Sequence, residues 1–374
     1  MIVGVLKETH PGERRVALVP QAVAQLVPKG FQVKVEAGAG AAAGFRDEDY
    51  AARGAEVSGS REAVLGAADV VVRVRADAEG LRAGQTVIGF FDPLSEPQRA
   101  REFAAAGVSA FAMELMPRIT RAQSMDALSS MATVAGYEAV ILAAHYLPRM
   151  FPMLMTAAGT IAPAKVYVVG VGVAGLQAIA TARRLGAVVS AYDVRPAVKE
   201  QVLSLGAKFV ELPLEAGEAE DKGGYARAMD ESFYRRQREL MARVVAENDV
   251  VITTAAVPGK KAPVLVTEDM VKSMAPGSVI VDLAAERGGN CEITSPGEVV
   301  ERHGVTIVGL LNLPSLAPYH ASQMYARNVA NFLLHIAKQG GIDFASDDEI
   351  LRETLVARGG AVVHPRIREL LGEA

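Results

Sequence analysis

The 374-residue chain has a single cysteine, Cys291, and no tryptophan. One thiol excludes a disulfide framework and any cysteine-rich metal site, and it suits a reducing compartment. Aromatic residues make up 5% of the chain, too few for a base-stacking platform. The 39 basic and 43 acidic side chains leave a net charge of −4. Nucleic-acid binding by counterion release needs a basic excess that is missing here. Six histidines are scattered with no HxxxH or HExxH spacing, so no metal site is expected. No stretch reaches the roughly 18 uninterrupted apolar residues of a spanning helix. The most apolar stretch, 150–182, is broken by Pro152, Pro163 and Lys165. The opening MIVGVLKETHPGERR mixes charges into a short apolar run, unlike a secretory signal. The chain therefore reads as soluble, with no transmembrane segment of its own.

What is present is globular: half the residues are hydrophobic and 22% are charged, over a length suited to roughly two domains. Short β-branched runs alternate with longer helical patterns, the signature of a parallel sheet wrapped by helices. Strands are expected at 2–6, 32–36, 70–74, 86–91 and 109–113, then at 165–170, 188–193, 208–211, 250–254, 278–282 and 305–308. The expected fold class is α/β, with two doubly wound domains of mostly parallel sheet joined by long helices. Residues 122–147 and 315–338 are the two long helical patterns. The expected division is 1–126 plus 318–374 for the first domain and 127–317 for the second. A charged, glycine-containing excursion at 213–236 interrupts the βα rhythm, and its length and position at a carboxyl edge suggest a mobile lid.

The clearest motif is KVYVVGVGVAGLQAIATARRLGAVVSAYDVRP. Here Gly170-x-Gly172-x-x-Gly175 closes a strand and opens a helix, and a second strand ends at Asp193. That is the dinucleotide fingerprint in its required context. Gly170 permits the tight turn, Gly172 lets the backbone approach a pyrophosphate, and Gly175 lets helix and strand pack closely. The helix N-terminus stabilises phosphate. Asp193 would accept from the adenosine ribose hydroxyls, and its charge favours NAD over NADP. Arg195 complicates that preference, because a guanidinium can bind phosphate; it could equally cover the adenine or face solvent. A second polar group, Arg118, Gln123, Asp126 and Ser129, falls between the last first-domain strand and a long helix. Asp126 or Ser129 could be helix caps. Gln123 offers the donor and the acceptor that a carboxamide such as nicotinamide requires, and Arg118 could pair with Asp126. The segments AAVPGKKAP and DLAAERGGN follow the next two strands and would form the far wall of the crevice.

Together these segments resemble the NAD(H)-binding component, domain I, of proton-translocating nicotinamide nucleotide transhydrogenase. The match includes VLKETHPGERRVALVP, MELMPRITRAQSMDALSS, GVGVAGLQAIATARRLGA, YDVRP, GGYA, VPGKKAPVLVTEDMV and DLAAERGGNCE. The resemblance implies a homodimer that binds NAD(H). It would dock on membrane-embedded partners, one presenting NADP(H), at the inner face of the cell membrane. It further implies that Arg118, Gln123 and Asp126 sit over the nicotinamide, with Ser129 just beyond. Val173 and Ala174 would face the pyrophosphate, and Asp193, Val194 and Arg195 the ribose. Gly224, Tyr225 and Gln237 would belong to a loop that closes over nucleotide, and Ala256 would lie along the cofactor.

Alanine dehydrogenase is the competing family, and VLKETHPGERRVAL with Arg15 fits it too. Amino-acid deamination needs a general acid/base beside the hydride acceptor. That family carries a lysine and a histidine at its first-domain strand ends, where this chain has Arg75 and Asp92. Arginine holds its proton at neutral pH, and an ordinary aspartate is too acidic to replace histidine. Hydride transfer between two nicotinamides needs only positioning and exclusion of water. A nucleotide-binding regulatory subunit remains a third reading; it would have no need of Arg118, Gln123 or the lid tyrosine.

Overall fold

The computed structural model describes residues 1–212, 229–256, 259–338 and 340–373. The chain forms two compact units, Met1–Met131 with Pro314–Ala374, and Ala132–Leu313. In chain order the first unit contributes β1 (Ile2–Val5), β2 (Gln32–Glu36), β3 (Glu56–Ser58), β4 (Val70–Arg75), β5 (Thr86–Phe90) and β6 (Ser109–Ala112). The second begins with a hairpin, β7 (Leu154–Thr156) and β8 (Gly159–Ile161). Then come β9 (Lys165–Val169), β10 (Val188–Tyr192), β11 (Lys208–Phe209), β12 (Val250–Thr253), β13 (Val279–Asp282), β14 (Val299–Arg302) and β15 (Val305–Val308). The chain re-enters the first unit with β16 (Ala337–Lys338), β17 (Gly341–Ile342), β18 (Leu355–Arg358) and β19 (Ala361–Val362).

The first sheet runs β19-β18-β6-β5-β4-β1-β2-β3 and the second β11-β10-β9-β12-β13-β15-β14. All pairings from β3 through β6, and from β11 through β15, are parallel; β18, β19 and β14 add antiparallel edges. Both sheets thus reverse strand order next to their first strand, between β1 and β4 and between β9 and β12, and the expected doubly wound class holds in both units.

Burial explains why these strands are central. Val166 and Val168 of β9 pack into one core layer and Tyr167 and Val169 into the other, as a two-residue side-chain period requires. The helix Val173–Arg184 buries Gly175, Ala178, Ile179 and Ala182 along one face and ends on Arg183 and Arg184, whose charges suit its carboxyl terminus. The helix Glu231–Ala246 starts at Asp230, whose carboxylate accepts from the Phe233 amide at 2.8 Å, and buries Phe233, Gln237, Met241 and Val245 at four-residue spacing. The excursion expected to run to residue 236 is therefore helical from Glu231 onward, because a cap and an apolar stripe coincide there.

Two further expectations need correction. The long helical patterns break at their starts: a 3-10 turn at Thr120–Met125 precedes the helix Ala127–Tyr146, and another at Leu313–Leu316 precedes Pro318–Ile336. The stretch 150–182 forms a hairpin, a strand and a helix start rather than one element. The helix long and apolar enough by composition to cross a membrane is instead Ala127–Tyr146. Ala139, Val140 and Ala143 of that helix are fully buried in the second unit's core, which accounts for its apolar character.

Candidate functional site

The carboxyl ends of β9 and β12 flank the strand reversal of the second unit, the place where open α/β sheets take ligands. Gly170 leaves β9 with φ +95, a backbone state closed to most side chains. Its carbonyl accepts from Thr254 Oγ1 at 2.9 Å, latching the turn to the chain that leaves β12. A Cβ on Gly175 would run into the Gly170 carbonyl oxygen, whereas one on Gly172 would meet open space. Gly172 caps the 12-residue helix Val173–Arg184 without a side chain. The first amides of that helix, Val173 and Ala174 among them, lack intrahelical acceptors and point toward the open side of the turn.

Asp193 follows β10 and is 7% exposed. Its Oδ2 accepts from the Val171 amide at 2.7 Å and its Oδ1 from the Arg195 amide at 2.8 Å. The acid is thereby tied to the glycine turn itself. Val194 packs partly into the core beneath. Gln237 is buried within its helix, against the Tyr192 hydroxyl, and its Oε1 has no hydrogen-bond partner. It therefore reaches Asp193 through the neighbouring residue rather than from a loop. Ala256 is exposed just past β12. Gly224 and Tyr225 lie outside the described residues.

The far wall is held by two residues whose roles sequence reasoning missed. Asn290, fully buried, accepts from the Ala255 amide at 3.0 Å and donates to the Ala255 and Pro263 carbonyls at 2.9 and 2.8 Å. Asp282, at the end of β13, accepts from Thr253 Oγ1, Thr294 Oγ1 and the Ala284 and Cys291 amides. The paired glycines before Asn290 carried the signal: Gly288 and Gly289 have φ +92 and +82, and the turn they form aims Asn290 inward.

Arg118, Gln123, Asp126 and Ser129 belong to the first unit. Arg118 and Gln123 are exposed, Gln123 on the 3-10 turn. That turn is anchored by buried Ala122 and Met125, by Asn328 and Asn331 amides donating to the Ser124 carbonyl at 2.9 and 3.1 Å, and by an Arg121–Asp348 ion pair. Asp126 accepts from the Ser129 amide at 2.8 Å and from its hydroxyl at 2.6 Å, so these two residues do cap the following helix. Among the described residues no cluster of three potential metal ligands occurs.

Two sheets with the same reversal, one of them opening on a glycine turn and a bare helix start, define the class: a two-unit, doubly wound, Rossmann-like α/β protein. Its family follows from comparison. Residues 4–135 match the model of the alanine dehydrogenase/PNT N-terminal domain and residues 139–365 that of the C-terminal domain. The chain belongs to the alanine dehydrogenase/PNT family. It is 48% identical to the first of the polypeptides that make up NAD(P) transhydrogenase subunit alpha in Rhodospirillum rubrum, over 98% of this chain and 99% of that one. A crystal structure of transhydrogenase from Sinorhizobium meliloti superposes with a TM-score of 0.85 at 48% identity, covering 98% of this chain and 99% of the other. Alanine dehydrogenase of Bacillus subtilis is more distant, 30% identical over 100% of this chain and 95% of its own.

Proposed function

We propose that this chain is the NAD(H)-binding subunit of a proton-translocating transhydrogenase, passing hydride between NAD(H) and NADP(H) held on a partner subunit. The observation that carries the reading is the Gly170–Gly175 turn, opening on an uncapped helix start with Asp193 tied to it through Val171. The residues fit a dinucleotide. Open space over Gly172 lets a pyrophosphate approach the backbone, and the amides of Val173 and Ala174 with the helix dipole stabilise its charge. Asp193 supplies acceptors for the adenosine ribose. Gln123 offers a carboxamide both a donor and an acceptor, with Arg118 exposed nearby in sequence. Tyr225 is assigned to closure over bound nucleotide on resemblance alone.

NAD(H) supplies the redox chemistry when bound; the protein's part is orientation and exclusion of water. That division suits the first unit, where Arg75 and Asp92 stand at the strand ends that carry lysine and histidine in alanine dehydrogenases. The Arg75 guanidinium is committed to Glu13 at 3.4 Å, and no proton-accepting histidine is present at either position. Proton translocation belongs to membrane-embedded partner subunits, which would hold this chain at the inner face of the membrane. A homodimer is supported by the β7–β8 hairpin and its approach, where Met150, Met153, Met155 and Ile161 expose apolar surface.

Mixing the chain with its NADP(H)-binding partner should give NADPH-dependent reduction of an NAD analogue, and absence of turnover would overturn the proposal. Alanine with NAD+ should give no rise in NADH absorbance; a rise would point to the amino-acid dehydrogenase reading.

A further inference from the structure

The acid that would hold the adenosine ribose is already occupied by the chain itself. Beyond its two amide donors, the Asp193 carboxylate is straddled by the Arg195 guanidinium, with Nε donating to Oδ1 and Nη2 to Oδ2, each at 2.9 Å. Nη2 also donates to the Val171 carbonyl at 3.3 Å, so the same side chain spans the acid and the glycine turn. The pair is well buried, with 4% of the Asp193 side chain and 12% of the Arg195 side chain exposed. A carboxylate offers about four lone-pair directions, and here the amides take two while the two-pronged guanidinium contact takes the others. A ribose diol binding Asp193 needs the oxygens that Arg195 occupies. Diol and guanidinium therefore compete.

We propose that Arg195 is a specificity-determining residue, an internal competitor that Asp193 must release before the ribose of NAD(H) can be held. The inference rests on the second unit being the NAD(H) site. Two consequences follow. NAD(H) binds more weakly than Asp193 alone would allow, which suits a nucleotide that must leave at each turnover. The guanidinium also offsets the carboxylate charge, so a 2′-phosphate meets less repulsion than a lone acid would impose. Arg195 thus narrows the NAD-over-NADP preference that Asp193 creates.

The test is calorimetric binding of NADH, NADPH, 5′-AMP and adenosine 2′,5′-bisphosphate to the full chain at pH 8 and fixed salt. Wild type is compared with Arg195→Ala and Arg195→Lys. In Arg195→Ala, NADH and 5′-AMP should tighten by about threefold or more and the two 2′-phosphorylated ligands should weaken, widening the preference about tenfold. Lysine, a point charge without the fork, should lie between. Unchanged or weaker NADH binding in Arg195→Ala, or an unchanged NADH:NADPH ratio, overturns the proposal. Should the alanine variant fail to fold, a ratio in Arg195→Lys equal to wild type does so instead. Failure of wild type to bind NADH at all would overturn the underlying site assignment, a separate outcome.

Discussion

The same strand reversal occurs in both units, yet the two crevices are built in opposite ways. In the second, the chain leaving β9 makes a glycine turn and enters a helix at once, leaving amides and space. In the first, the chain leaving β1 reaches its next helix only at Pro20, and the intervening segment fills the reversal with charge. The Glu13 carboxylate, whose side chain is fully buried, takes Arg15 in a two-pronged pair at 2.7 and 2.6 Å, Arg75 at 3.4 Å and the Ser315 hydroxyl at 3.2 Å. Glu8 accepts the Val74 and Arg75 amides that leave β4 and lies 3.7 Å from the buried Arg73 guanidinium. Burial raises the Glu8 carboxyl to about 7, against the opposing pull of Arg73 and the two amides. One reversal presents groups to a ligand; the other spends its charges on each other. Topology creates the place, and the side chains decide whether it binds anything.

The comparison breaks most readily in the first unit. Arg15→Met removes the main partner of a buried carboxylate and should cost about 3–5 kcal/mol in denaturant unfolding, with NADH affinity unchanged. The double variant Glu13→Gln/Arg15→Met should cost less than the single one, because no buried charge is left without its principal partner. If Arg15→Met weakens NADH binding instead, the contrast between the units is wrong. In the second unit the opposite holds. Gly175→Val drives a side chain into the Gly170 carbonyl oxygen and should weaken NADH about a hundredfold or more by calorimetry. A smaller effect belongs to the exposed 3-10 turn. Gln123→Ala should lower turnover with the NADP(H)-binding partner about tenfold, roughly 1.4 kcal/mol, while leaving the NADH dissociation constant unchanged. A change confined to the dissociation constant would reassign Gln123 to ground-state binding.

How much of this was legible in the sequence follows from how local each cause is. The α/β class was readable because β9, β12 and β13 are apolar on both faces, so their runs stand out from the helices between them. Edge strands were not: β3, β14, β18 and β19 are short and carry residues such as Glu56, Glu301 and Arg358, which read as loop. The glycine fingerprint is a property of six consecutive positions, so its turn and helix start could be placed to the residue. The capping by Asp126 and Ser129 was visible in the same way and was weighed as such. Gln237 was misplaced onto a loop although Phe233, Met241 and Val245 set out a four-residue stripe through it; the charge around them hid the period. Side-chain pairing was beyond reach: Arg195 could have covered adenine, met phosphate or faced solvent, and only the fold brings its fork onto Asp193. Asn290 bonds residues 27 and 35 positions away, a distance at which no spacing rule applies.

The mildest expected effect concerns a second buried carboxyl of the first unit. Glu114 accepts the Phe91 and Asp92 amides at 2.8 and 2.5 Å through Oε1, while Oε2 is buried without a hydrogen-bond partner. Asp92, which receives that contact, holds φ +49, so the carboxyl also fixes an uncommon backbone turn. Burial raises Glu114 from an ordinary 4.5 to about 7, outweighing its backbone hydrogen bonds. Below the ordinary value both folded and unfolded chains carry the proton. Between 4.5 and about 7 the unfolded chain loses it and the folded chain keeps it, so stability falls as pH rises through this window. Glu114→Gln retains an oxygen for both amides and carries no charge to bury. The variant should therefore melt above wild type at pH 8 and close to it at pH 4.5, a difference on the order of 1 kcal/mol. Glu8 keeps a shallower slope of the same sign in both proteins, because its shift has the same cause. Parallel melting curves for Glu114→Gln and wild type across that range would mean that the carboxyl is ionised in the folded chain, and that the first unit tolerates charge at its strand ends as readily as the second.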